Sequence, residues 1–317
     1  MQNLDDNFFK QPMFYVEGIP CYYSGEYFYR ELDLYKVLNL LEIAKHQGWK
    51  NAALAPTNAY VTRYITDNRR SLFLNLVKIE KDANILDLGA GWGTIALQIA
   101  KRYPEVTVYA FDKTLEGLLF LNIVKEQEKL RNLRIARCTA DILPLVDSSI
   151  DLVITIGVLE WVGTTMESSS PRDAQLKVLK EIKRVLKDHG KLIVGIENRF
   201  GYQYFKGKRE HSGIFYGSIL PRKLVDLYSR IKLKKSFRTY IYSKAEYCKL
   251  FTEAGFKKTK FYYTYPDYRF PYVICDEQNV RELFQITHKR GFGKLLGYIP
   301  NAILRRVIPS FYIVVEK

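Results

Sequence analysis

Asp87-Leu88-Gly89-Ala90-Gly91-Trp92-Gly93-Thr94 decides how this chain is read. It follows the short apolar run Ala83-Asn84-Ile85-Leu86, a buried strand by pattern, and precedes Ile95-Ala96-Leu97-Gln98-Ile99-Ala100, the start of a helix. Glycine at every second position between a strand and a helix lets backbone pass very close to a ligand at a helix N-terminus. The dinucleotide fingerprint G-x-G-x-x-G does not fit, because it needs its third glycine at position 94, where this chain has Thr94. Instead an acid stands two residues before the first glycine.

Further apolar segments follow at the spacing of a wound α/β sheet. Val106–Phe111 ends in Asp112, where an acid can accept from both hydroxyls of a ribose or cap the helix expected over Leu115–Lys129. Leu133–Ala136 and Ile150–Gly157 read as the third and fourth strands, the latter apolar throughout and so buried on both faces. Asp173–Lys187 has helical apolar spacing with Gly190 as its expected C-terminal cap, and Lys191–Ile196 is a fifth strand. Ser243–Ala254 is a helix with a serine start, and Lys257–Tyr265 and Phe311–Val315 are the closing strands.

The D-x-G-x-G-x-G pattern with this sequel resembles class I, Rossmann-like S-adenosylmethionine (SAM)-dependent methyltransferases. Specific motifs carry the resemblance from Ile85 to Ile196, and looser ones to Lys317. It implies an α/β fold: a doubly wound, mostly parallel seven-stranded sheet with helices on both faces, an N-terminal helical cap and two insertions. It implies SAM as cofactor and S-adenosyl-L-homocysteine as product. Asp141 would accept from the adenine amino group, and the Ile142 amide would read a ring nitrogen. The implied cofactor contacts are Asp87, Gly89, Ala90, Gly91, Gly93, Asp112, Lys113, Asp141, Ile142, Ile156 and Gly157.

The expected organisation is an N-terminal helical and aromatic cap (1–81) and a SAM-binding core (82–198). An insertion over 199–242 would form an acceptor lid, and 243–317 would complete the core around a basic insertion, 266–310. Leu32–His46 reads as an amphipathic helix, and Pro56–Arg70 as an aromatic, polar segment able to cover the cofactor.

Methyl transfer from a sulfonium is an in-line displacement, so holding the acceptor and excluding water are its main demands. An alcohol acceptor also needs a base. His211, in the Gly207–Gly213 loop, is the first candidate because its ordinary pKa suits proton transfer near neutrality. Its alternative is a solvated surface residue. Glu197 after the fifth strand and Glu160 after the fourth are further candidates. Arg199, Tyr202, Asp267 and Tyr268 are candidate acceptor contacts. No His/Asp cluster is visible in the sequence, so no metal is expected.

The fourth-strand exit, Ile156-Gly157-Val158-Leu159-Glu160-Trp161, lacks the [DN]-P-P-[YF] signature of exocyclic amino methylation. Ile196–Gly201 and Tyr265–Pro271 are similar to methyltransferase domains found among bacterial surface-glycan and other glycoconjugate assembly proteins. That implies O-methylation of a sugar, glycolipid or other small-molecule acceptor. An RNA or tRNA methyltransferase, with steeply salt-dependent binding, and a SAM-binding accessory subunit without its own activity stay open as alternatives.

The net charge of +15 predicts attraction to polyanions: nucleic acid, anionic membrane or phosphate-bearing substrates. The excess gathers in Lys206–Arg238 and again in Lys289–Arg306. The Leu283–Val315 stretch contains no acid, and reads either as a membrane-surface segment or as a cover packed on the sheet. Twelve of the tyrosines lie between Tyr202 and Tyr272, many of them in the inserted segments and suited to sugar rings or bases alike. Four scattered cysteines argue against a disulfide framework or zinc site. With no signal-type segment in residues 1–18, the expected location is the cytoplasm, with the inner membrane surface as its alternative.

Overall fold

The computed structural model describes residues 9–25, 32–55, 59–287 and 299–317. The chain divides into two compact units, residues 1–155 with 184–191, and residues 156–183 with 192–317.

The first unit opens with a hairpin, β1 (Phe14–Val16) and β2 (Ile19–Cys21), then helices α1 (Leu34–Gln47), α2 (Trp49–Leu54) and α3 (Ala59–Thr66) and a 3-10 turn, Asn68–Leu76. The wound core follows as β3 (Asn84–Leu88), α4 (Thr94–Arg102), β4 (Thr107–Asp112), α5 (Leu115–Gln127), β5 (Leu133–Arg137) and β6 (Ile150–Ile156). The strand order is β1-β2-β5-β4-β3-β6, with β3 parallel to both β4 and β6. The chain thus winds away from β3 through β4 and β5, then returns to its other side. That reversal makes the fold doubly wound and puts the loop after β3 at the switch point, where such sheets bind ligands. The core is largely apolar: Ile85, Val108, Phe111, Leu118, Phe120, Leu121 and Ile154 are fully buried.

β7 (Leu186–Glu197) starts in the first unit and ends in the second. The second unit adds α6 (Val162–Thr165), α7 (Pro171–Val185), α8 (Tyr202–Phe205), α9 (Arg222–Leu233), α10 (Lys244–Glu253), β8 (Lys258–Tyr265), β9 (Val273–Cys275), α11 (Val280–Thr287), α12 (Asn301–Val307) and β10 (Ser310–Glu316). Its strand order is β7-β10-β8-β9, with β8 and β10 antiparallel from Phe311↔Tyr263 to Glu316↔Lys258 despite the long segment between them. α10 starts with a reciprocal capping box between Ser243 and Glu246. Aromatic packing dominates here. Tyr247, Phe251, Phe261, Tyr263 and Phe311 form a chain of edge and stacked contacts.

The α/β class and the mostly parallel sheet agree with the sequence reading, but the described residues form ten strands rather than seven. β1 and β2 extend the edge of β5, where Cys21 pairs with Arg137, and β9 adds to β8 from within the 266–310 segment. Gly190 is not a helix cap. α7 ends at Val185, and Gly190 lies inside β7, where a Cβ would come within 2.8 Å of the Lys187 carbonyl. Glycine is there for close backbone approach. Lys289, Arg290 and Lys294 of the basic insertion lie outside the described residues. Among the described residues, no helix is long and apolar enough to cross a membrane.

Candidate active site

In the first unit the loop after β3 is held almost wholly by backbone. Gly89 N–H and Ala90 N–H donate to the Phe111 carbonyl, at 2.8 and 3.0 Å, and Gly93 N–H donates to the Ala90 carbonyl. Gly91 has φ +54° and open space where a Cβ would stand, whereas a Cβ on Gly93 would lie 2.2 Å from Leu121. Gly91 therefore answers to backbone shape and to whatever approaches it, Gly93 to packing. Gly117 in α5, which the sequence did not single out, belongs to the same design. A Cβ there would lie 2.5 Å from the Gly91 carbonyl, so only glycine lets α5 support the loop this closely.

Two carboxylates complete this loop. Asp87 is buried, and its Oδ2 accepts from Ala96 N–H in the first turn of α4 at 3.0 Å. Burial pushes its pKa up to about 7, against the pull of Arg70 and the Ala96 N–H. Asp87 thus shapes the loop from beneath. Asp112 accepts from Gly91 N–H at 2.8 Å through Oδ2 and from Thr114 N–H at 2.7 Å through Oδ1. Burial raises its pKa as well, opposed by those donors. It therefore combines a brace on the loop with a turn at the start of α5. Lys113 lies over the Tyr23 ring, its ammonium 4.7 Å from the centroid. Asp141 is half-buried and Ile142 is exposed beyond β5. The N-terminal segment reaches the same loop, since the Thr94 hydroxyl donates to the Tyr64 carbonyl and the Arg70 guanidinium stacks 4.0 Å from the Tyr64 ring centre.

The second unit gathers the three candidate catalytic residues. Glu160 and Glu197 are buried, and His211 is mostly so. His211 Nε2 lies 3.1 Å from Glu197 Oε1 and 3.8 Å from Glu160 Oε1, off the line of a well-formed hydrogen bond. The Tyr268 hydroxyl donates to Glu160 at 3.1 Å and sits 3.5 Å from Glu197, and the Arg269 guanidinium donates to Glu197. Trp161 packs on the His211 ring, centroids 4.7 Å apart.

Charge divides unequally over this cluster. Burial, then Glu197, pushes Glu160 up to about 7. Burial also works to raise Glu197, but Arg269 and His211 outweigh it and hold that carboxyl far below the usual range. Burial works to lower His211, and the two carboxylates overcome it, so the imidazole titrates above its ordinary value. Glu197 is thus the carboxylate that keeps its charge, held by Arg269 and His211, beside a Glu160 that readily takes a proton. The ligand atoms of Glu160, Glu197 and His211 all lie within 4.8 Å of one another, a grouping that sequence spacing did not disclose.

Local structure explains how this cluster is held. Gly157 (φ +73°) follows β6, and a Cβ there would meet the Tyr268 hydroxyl at 2.9 Å; at Gly195 in β7 one would meet the Tyr268 ring at 3.1 Å. These two glycines open the slot for Tyr268. Glu210, which the sequence reading passed over, fixes the neighbouring loop by accepting from Ser212 N–H at 2.9 Å and from the Thr239 hydroxyl at 2.9 Å. Ile156 is buried, and Gly157 N–H donates to the Gly195 carbonyl.

Of the candidate acceptor contacts, Tyr268 joins the cluster and the others do not. Arg199 is engaged by the Ser218 and Leu220 carbonyls and by Glu246. Asp267 accepts from Arg269 N–H at 2.8 Å in its own turn. Tyr202 is half-buried at the start of α8. Several tyrosines offered to an acceptor are core instead, including Tyr204, Tyr242 and Tyr263.

A doubly wound sheet with a glycine loop at its switch point and an acid ending the next strand is built to hold a nucleoside-bearing cofactor, and the third glycine at position 93 fits the class I SAM-dependent methyltransferase pattern rather than the dinucleotide one. The sequence model of the family described as "Methyltransferase domain" matches residues 79–280, more than half of the chain, and the chain belongs to that family. A malonyl-[acyl-carrier protein] O-methyltransferase of Geobacter sulfurreducens is 31% identical over 162 residues, 50% of this chain and 52% of that protein. An uncharacterized protein of Methanocaldococcus jannaschii is 35% identical over 131 residues, 41% of this chain and 47% of that one. The chain thus matches about half the length of these curated relatives. Phosphoethanolamine N-methyltransferase 2 of Haemonchus contortus, solved with SAM, shares the fold with a TM-score of 0.50 at 14% identity, covering 88% of this chain and 60% of that one.

Proposed function

We propose that this chain transfers the methyl group of SAM to a hydroxyl of a sugar or glycoconjugate, with His211 as the base. The observation that carries this reading is the buried His211–Glu197 pair at 3.1 Å, with Glu160 beside it. The acceptor oxygen attacks the sulfonium methyl carbon, the carbon–sulfur bond breaks, and S-adenosyl-L-homocysteine leaves as a neutral thioether. The hydroxyl proton passes to the imidazole. With the carboxylates at Nε2, the proton of neutral His211 resides there and Nδ1 is the basic nitrogen; Glu197 then stabilises the imidazolium. Arg269 keeps Glu197 ionised for that purpose.

The name of the Geobacter relative supports an oxygen acceptor. A carboxyl acceptor is already ionised near neutrality and needs no base. A neutral hydroxyl is what such a cluster can activate. The test is turnover of labelled SAM against glycans, sugar nucleotides and glycolipids, with carboxylic acids and RNA alongside. Methyl ether formation that depends on His211 is expected; turnover confined to carboxylates or RNA would overturn the assignment.

A further inference from the structure

We propose that α9 is a docking helix for an anionic lipid bilayer. α9 buries one side and carries a second, apolar stripe on the side left exposed. Val225 and Ser229 are buried on its inner side, where Val225 packs with Ile214, Phe237 and Tyr240. Leu224, Leu227, Tyr228 and Ile231 are each half exposed or more, at 58%, 57%, 50% and 59%. Their i, i+3, i+4, i+7 spacing puts them on one stripe, turned away from the buried side. A stripe of four large apolar side chains is what a soluble face avoids, and it marks an interaction surface.

The charges around it select the partner. On a helical projection Lys223 and Arg230 flank one edge of the stripe and Lys232 the other, with Lys234 and Lys235 just beyond the C-terminus; all five are exposed. The one acid of α9, Asp226, lies toward the buried side, where it accepts from Phe237 N–H at 2.9 Å and from Arg230 Nε at 2.8 Å. Other cations of this segment are spent internally: Arg222 stacks on Tyr240 and Tyr242, and Arg238 donates to the Gly163 and Met166 carbonyls. Arg230 shares its charge with Asp226 but stays exposed, and the other cations left at the stripe are the lysines at its rim. A convex apolar ridge edged by long cationic side chains fits a planar, negatively charged interface, with the apolar groups entering the headgroup boundary and the ammonium groups meeting phosphate. At 12 residues α9 can lie on a bilayer but cannot cross one.

The test is sedimentation of the full chain with phosphatidylcholine vesicles, with and without about one-third phosphatidylglycerol, at physiological salt. Binding to the anionic vesicles at least about tenfold tighter than to neutral ones is expected, falling about tenfold in Leu227→Asp/Ile231→Asp and in Lys223→Gln/Arg230→Gln/Lys232→Gln. Leu224→Gln/Leu227→Gln gives a milder second variant, and thermal melts and SAM affinity should match the parent in all three. No binding by the parent chain, or binding indifferent to the apolar substitutions, overturns the proposal. Self-association abolished by the same substitutions, without vesicle binding, overturns it in favour of a second copy of the chain. Neither result depends on the identity of the methyl acceptor.

Discussion

Each unit holds a pair of carboxylates largely shielded from solvent, and the two pairs are satisfied in opposite ways. Asp87 and Asp112 accept from the backbone N–H groups of Ala96, Gly91 and Thr114. Glu160 and Glu197 meet side chains: Tyr268, Arg269 and His211. Backbone donors hold one shape in every protonation state, so the first pair is scaffolding for a loop that must not move. Side-chain donors carry protons and charge of their own, so the second pair can exchange a proton with its surroundings.

The harshest test of this contrast is Gly91→Val. At φ +54° a β-branched residue is strained, yet its Cβ would meet no protein atom within 4 Å. SAM binding should vanish by calorimetry while the fold persists. Gly93→Val, driven into Leu121, should instead lose the fold. Unchanged SAM affinity in folded Gly91→Val would remove the loop from the cofactor site.

His211→Ala should lower turnover roughly 10²–10⁴-fold with SAM affinity unchanged, because a base acts on the acceptor and not on the donor. A near-normal rate would reduce the second pair to scaffolding like the first. Asp112→Ala should weaken SAM by about 1.5–3 kcal/mol if the carboxylate also bonds ribose. A lowered melting temperature with unchanged affinity would leave it only its bonds to Gly91 and Thr114.

The smallest expected effect is a shift of pH profile. His211 is raised above its ordinary value and must be neutral to act, so turnover should increase with pH, with its midpoint above the usual imidazole range. Glu160→Gln removes one of the charges that raise His211, so that midpoint should move to lower pH. A profile that stays put would separate Glu160 from the base. Stability offers a second readout of the same residue. Glu160 is raised to about 7, so its protonated form contributes stability at low pH that is lost as pH rises through that value. Glu160→Gln lacks this loss, and its melting temperature should gain on the parent across that window.

Much of the first unit was legible from local pattern. The alternation of β3 to β6 with α4 and α5, and the glycine loop between β3 and α4, follow from hydrophobic periodicity and from glycine's access to positive φ. The β1–β2 hairpin was not legible: two three-residue strands carry too little pattern, and β2 is a strand because β5 offers an unpaired edge. Glu160, Glu197 and His211 were each nominated singly, from strand ends and a glycine-flanked loop. Arg269, Glu210 and Gly117 were missed, since each works through a neighbour distant in sequence.

By itself the sequence determined the wound α/β core and the place of its glycine loop, because repeating apolar runs and backbone conformational limits act between near neighbours. Only the tertiary structure decided that residues 160, 197, 211, 268 and 269 share one buried cluster, which carboxylate keeps its charge, and which cations remain at the rim of α9. Those outcomes depend on desolvation and on distances between segments far apart in the chain, and no local pattern encodes them.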